Sequence, residues 1–136
     1  MYPIPAASID LPILPLYSYV VSAGFPSPAD EHMDIRLDLN EYLISSPSST
    51  FFVRAIGDSM TEAGINKGSL LIVDKAIQPK HNKIVIAVIN GEFTVRRLKI
   101  TKGEYILVAE NPAYPPVKLN ADSYIWGVVT SVINKL

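Results

Sequence analysis

Residues 83–98 read KIVIAVINGEFTVRRL, two apolar-rich runs joined by Asn90-Gly91. Asn-Gly between such runs is the strongest short-range signal of a two-residue hairpin, whose turn needs positive φ at both central residues. That turn pairs Val85 with Arg96, Ala87 with Thr94 and Ile89 with Glu92. Side chains alternate along a strand, so Ile84, Ile86, Val88, Phe93 and Val95 share one face. This face reads as the core side, with Arg97 at its edge. Arg96 then stands mid-strand on the second face, beside the small Ala87 and Thr94.

Outward from the hairpin the pattern is strand and turn: TFFVRAI at 50–56, SLLIVDK at 69–75, EYILVAE at 104–110 and YIWGVVTSVI at 124–133. Gly57, Gly64, Gly68 and Gly103 punctuate these runs. Short strands at this spacing predict a compact, mostly β, mainly antiparallel domain, closed or sandwiched. One helix is predicted in DLNEYLIS, residues 38–45. Asp38 caps it, Glu41 completes a capping box, and Leu39, Tyr42 and Leu43 share a face, with Ser46-Pro47 ending it.

Residues 1–37 differ from the rest. They hold six of the eleven prolines, at 3, 5, 12, 15, 26 and 28, and show no sustained periodicity. The segment is apolar all the same, through Ile4, Ile9, Leu11, Ile13, Leu14 and Leu16, so it reads as an extended arm that packs on something. The expected organisation is an N-terminal arm, 1–37, ahead of a β-rich domain, 38–136.

At 136 residues the chain is long enough for a single domain with a real core, and it has no cysteine, which excludes disulfides and thiolate metal sites. Two widely separated histidines, His32 and His81, make a poor metal centre, and neither a metal nor a cofactor is expected. Twelve basic against thirteen acidic residues give a net charge of −1. The footprint of a duplex-DNA binder is missing. Prolines break the N-terminal apolar residues, and no run has the length to cross a bilayer, so a soluble, cytoplasmic protein is expected.

Between two of the strands lies GDSMTEAGINKGSLLIVD, residues 57–74. Ser59 follows Gly57-Asp58 where a strand gives way to a turn. Its hydroxyl can be presented at a sheet edge near backbone N–H groups, as a nucleophile with an oxyanion hole requires. A serine after Gly-Asp is more often an ordinary turn residue, and the local sequence leaves both readings open. A phosphate loop fails, because Gly64–Ser69 leads into a strand and not a helix. His81, in QPKHNK, reads as a polar turn residue, and His32 as a solvated residue of the arm.

From about Ala23 to its end the chain resembles the UmuD and MucA proteins, relatives of the LexA repressor. These are Ser-Lys self-cleaving proteins of the bacterial DNA-damage (SOS) response. The resemblance is carried by SAGFPSP at 22–28, GDSM at 57–60, GSLLIVD at 68–74, GEFTV at 91–95 and WGVV at 126–129. It implies a LexA- and signal-peptidase-like fold, Ser59 as nucleophile, Ala23-Gly24 as the scissile bond, and backbone N–H groups of Asp58 and Ser59 as oxyanion donors. It also implies a neutral lysine base directly after Thr94-Val95. Here that position is Arg96.

Lysine can act as a base because desolvation lowers its pKa from about 10.4 by several units. A guanidinium keeps its proton and has no lone pair to offer. Arg97 has the same chemistry on the opposite face, and Lys99 lies roughly 10 Å along the strand, also facing away from Arg96. The expectation is therefore a self-cleaving peptidase by family whose own bond is cut very slowly or not at all.

The resemblance further implies self-association as a homodimer, and cleavage promoted by a RecA-like recombinase filament on single-stranded DNA. After trimming it implies a partnership with a UmuC-like translesion polymerase, with no direct duplex-DNA or membrane binding. The competing reading is a non-catalytic interaction module of the same fold. A LexA-like repressor is disfavoured, because residues 1–37 are proline-broken, lack helical periodicity and are not basic.

Overall fold

The computed structural model describes residues 3–5, 13–16 and 35–136. Ala23, Gly24 and His32 lie outside the described residues. Three short strands come first: β1 (Ile4–Pro5), β2 (Ile13–Leu16) and β3 (Ile35–Asp38). Helix α1 (Leu39–Leu43) follows. The remaining strands are β4 (Thr50–Arg54), β5 (Leu70–Asp74), β6 (Ile84–Ile89), β7 (Glu92–Thr101), β8 (Glu104–Val108), β9 (Val117–Lys118) and β10 (Ser123–Ile133).

Eight strands form one antiparallel sheet in the order β1-β4-β5-β10-β6-β7-β8-β9, and β2 pairs separately with β3. The mostly β, antiparallel expectation thus holds. The central hairpin has the register read from its turn: Val85 faces Arg96, Ala87 faces Thr94 and Ile89 faces Glu92. Asn90 and Gly91 both have positive φ, 50° and 79°, as the primed turn requires.

Parts of the predicted arm form strands. Ile4 and Pro5 extend the sheet against Phe52 and Phe51, and β3 runs across the 37/38 boundary to pair with β2. The helix is shorter than predicted. Asp38 caps it by accepting from the Asn40 N–H at 2.9 Å, and no contact from Glu41 closes a box among the described residues. It stops at Leu43 because Ile44 turns to extended backbone and buries its side chain against Phe52 and Ile72. Tyr42 does not share the packed face of Leu39 and Leu43; it is 72% exposed.

Both faces of β6 are core, which corrects the one-sided reading. Ile86 and Val95 join Val53, Met60, Ile65, Leu71 and Val73 in one cluster. Val85 and Ala87, assigned to the second face, are fully buried with Leu98, Leu107 and Val128. That cluster draws on four neighbouring strands, β10, β6, β7 and β8. The register of β10 shifts between Ile125 and Gly127 and between Val129 and Ser131, irregularities of the kind that increase local twist.

Gly127 lies at one of these shifts. A Cβ there meets Val73 Cγ1 at 2.6 Å, closer than such atoms approach. Gly127→Ala is expected to lower stability by about 1–3 kcal/mol through overpacking, read as a reduced denaturant midpoint with unchanged slope. An unchanged midpoint contradicts this packing. Among the described residues no helix is long and apolar enough to cross a membrane.

Candidate active site

Strand β4 ends at Arg54, and Ala55 continues its ladder to β5 by donating to Ser69 O at 2.9 Å. The chain then leaves the sheet. Ile56 is 65% exposed, whereas Ser59 is buried and Met60 almost completely so. Met60 anchors the turn: its side chain sits in the main core and its carbonyl accepts from Ala63 and Ile65. Ser59 is therefore held at the core boundary by the residue that follows it.

Strand β7 supplies the second wall. It pairs with β6 through Glu92–Arg97 but with β8 only from Arg97 onward, so its other edge is uncovered by strand over Glu92–Arg96. Arg96 comes back along this edge. Its Nη1 donates to Ser59 Oγ at 2.6 Å and to Val95 O at 2.8 Å. The Ser59 hydroxyl donates in turn to Val95 O at 3.4 Å. Its oxygen is thus engaged by a cation, and its proton points at a carbonyl.

Burial lowers the Arg96 pKa from its ordinary value, with the nearby Tyr114 opposing the shift. That desolvation does not create a base, because a guanidinium still presents only donors. Arg96 Nε is buried without a partner, and the guanidinium carbon stands 5.5 Å from the Tyr114 ring centroid. Neighbouring cations do not reach the serine. Arg97 pairs with Glu110 and donates to Asn82 O at 2.6 Å, and Lys99 donates to Asn82 Oδ1.

A third segment, residues 110–114, holds the serine turn from outside. Asn111 Nδ2 donates to Asp58 O at 2.8 Å, the Tyr114 hydroxyl donates to Asp58 Oδ1, and Glu110 O accepts from Glu62 N at 2.9 Å. The bond to Asp58 raises the Tyr114 pKa above the ordinary phenol value. Sequence reading passed over this segment. Asn111-Pro112 marks a turn, but no local signal shows that the turn folds back over a serine more than fifty residues earlier.

Ser59, Asp58 and Arg96 are thus brought together, and with Gly57, Thr94 and Tyr114 among others they line a cleft of about 170 Å³. Among the described residues none accepts a hydrogen bond from the Asp58 or Ser59 N–H. His81 is elsewhere, its Nδ1 accepting from Ile100 N at 2.9 Å as a turn residue would. Chemically, the cleft presents a hydroxyl, unengaged backbone donors and a fixed cation. Among the described residues that line it, none offers a neutral amine or imidazole, and the one carboxylate, Asp58, takes the Tyr114 hydroxyl on Oδ1.

The model of the Peptidase S24-like family matches residues 15–130. The chain is 50% identical to Protein SamA of Salmonella typhimurium strain LT2 over 121 residues, 89% of this chain and 85% of SamA. It is 40% identical to Protein MucA of Escherichia coli over 120 residues, 86% of this chain and 82% of MucA. A LexA repressor of Verrucomicrobium spinosum is 35% identical over 127 residues, 92% of this chain and 60% of the repressor. With most of its length matched by the family model and by UmuD-type relatives, the chain belongs to the Peptidase S24-like family.

Proposed function

We propose that this protein is a UmuD-type SOS-response precursor whose self-cleavage is arrested at the proton-transfer step. In this reading residues 1–37 form an arm carrying the Ala23-Gly24 bond, and residues 38–136 form the peptidase domain. Ser59 attacks the Ala23 carbonyl, the N–H groups of Asp58 and Ser59 receive the developing oxyanion, and Arg96 occupies the place of the general base. The uncovered edge of β7 supports an extended substrate, since it can pair with one more strand.

The observation that carries the reading is the 2.6 Å contact from Arg96 Nη1 to Ser59 Oγ. It supports residue 96 as the base position, held in this chain by a group that cannot accept a proton. The chain's UmuD-type relatives support the wider role: self-association, response to a recombinase filament on single-stranded DNA, and, once trimmed, service to an error-prone translesion polymerase in the cytoplasm. Because the serine accepts from a cation, the same contact favours a non-catalytic interaction module as the second reading.

The test is the intact mass of the unmodified protein during prolonged incubation at alkaline pH. The 14.9 kDa species is expected to persist. A fragment beginning at Gly24, produced by this chain alone, overturns the arrest.

A further inference from the structure

Among the described residues the cation in the cleft has no ion-pair partner: the ion pairs are Arg97 with Glu110 and Lys118 with Glu104, and neither involves Arg96. The acidic residue lining the cleft, Asp58, takes the Tyr114 hydroxyl on Oδ1. Arg96 Nη1 is spent on Ser59 and Val95, and Nε is buried. The remaining nitrogen, Nη2, has no partner among the described residues. A part-buried guanidinium beside a hydroxyl and two unengaged backbone N–H groups is a donor set matched to an anion with two oxygens.

We infer that the cleft is a receptor for the C-terminal carboxylate of an extended peptide. One carboxylate oxygen takes the Asp58 and Ser59 N–H groups, the other takes Arg96 Nη2 and the Ser59 hydroxyl once its proton turns from Val95 O, and the chain leading to it lies along the open edge of β7. This inference rests on reading the cleft as the seat of an extended chain. It goes further by making the ligand an acid, the chemical class that peptide cleavage releases. A neutral amine at position 96 has no charge with which to hold that acid, whereas a permanent cation does. The exchange at this one position thereby gives the arrested site a charge for holding a peptide acid supplied from elsewhere.

Two peptides of sequence acetyl-YVVSA, the sequence of residues 19–23, separate the possibilities by calorimetric titration of the full chain: one ends in a free carboxylate, the other in an amide. The acid is expected to bind at least about tenfold more tightly. That advantage is expected to shrink as salt rises and to vanish in Arg96→Met. Equal affinities overturn the carboxylate receptor and leave the extended-chain reading standing. Binding of neither peptide at about 1 mM removes both. An acid preference that survives in Arg96→Met overturns the role given to Arg96.

Discussion

Arg96→Lys is expected to start cleavage at Ala23-Gly24, with a rate at least about 10²–10⁴ above that of the unmodified chain, the usual worth of a general base. The other groups of the proposed site are held in place: Ser59 by Met60, and Asp58 by Asn111 and Tyr114. The substitution changes the chemistry of one group. A lysine placed here is desolvated as Arg96 is, and desolvation disfavours the ammonium form. Only the neutral amine can take the serine proton, so the rate should rise with pH through that lowered pKa and level off above it. The measurement is the first-order rate of appearance of the Gly24 fragment from about pH 7 to about pH 10. A rate that falls with rising pH, or an inert lysine variant, removes residue 96 from the base position.

Met60→Ala should have the largest effect on stability. Met60 is 1% exposed and packs in the cluster that holds Val53, Ile65, Leu71 and Val95, and its sulfur accepts from Glu110 N at 3.3 Å. Truncation leaves a cavity beneath the serine turn and removes one link to residues 110–114. The expected cost is about 2–5 kcal/mol, a fall in Tm of roughly 7–17 °C. Combined with Arg96→Lys, it should also slow cleavage, because Ser59 loses the anchor that sets its position. Tyr42→Ala, at an exposed position, should stay within about 0.5 kcal/mol and serves as the comparison. Equal melting temperatures for the two variants contradict the anchoring role of Met60.

The long strands were legible because alternation and turn chemistry agreed. Asn90-Gly91 fixes one hairpin to the residue, and the register it implies, with Arg96 opposite Val85, is the one observed. What failed has a common physical cause. Strands β1 and β9 are two residues long, and β2 and β3 pair across a gap of about twenty residues, so partners and not periodicity define them. The second core behind Val85 and Ala87 is completed by Leu107 of β8 and Val128 of β10, which the hairpin's own sequence does not encode. The helix ended early because Ile44 gains more from burial against Phe52 than from another turn.

The same division holds at the site. Ser59 was open to a turn reading on local sequence, and only the resemblance paired it with position 96. The structure puts the two atoms in contact. Tyr114 and Asn111 escaped notice because their role is tertiary: nothing in NPAYPP announces a partner at Asp58.

The central claim is that residue 96 decides whether Ser59 can act. Its most direct test is a mass-resolved comparison of Arg96→Lys with Arg96→Lys/Ser59→Ala under identical alkaline conditions. A fragment beginning at Gly24 from the first and none from the second is the predicted result. Cutting in both, or in neither, contradicts it.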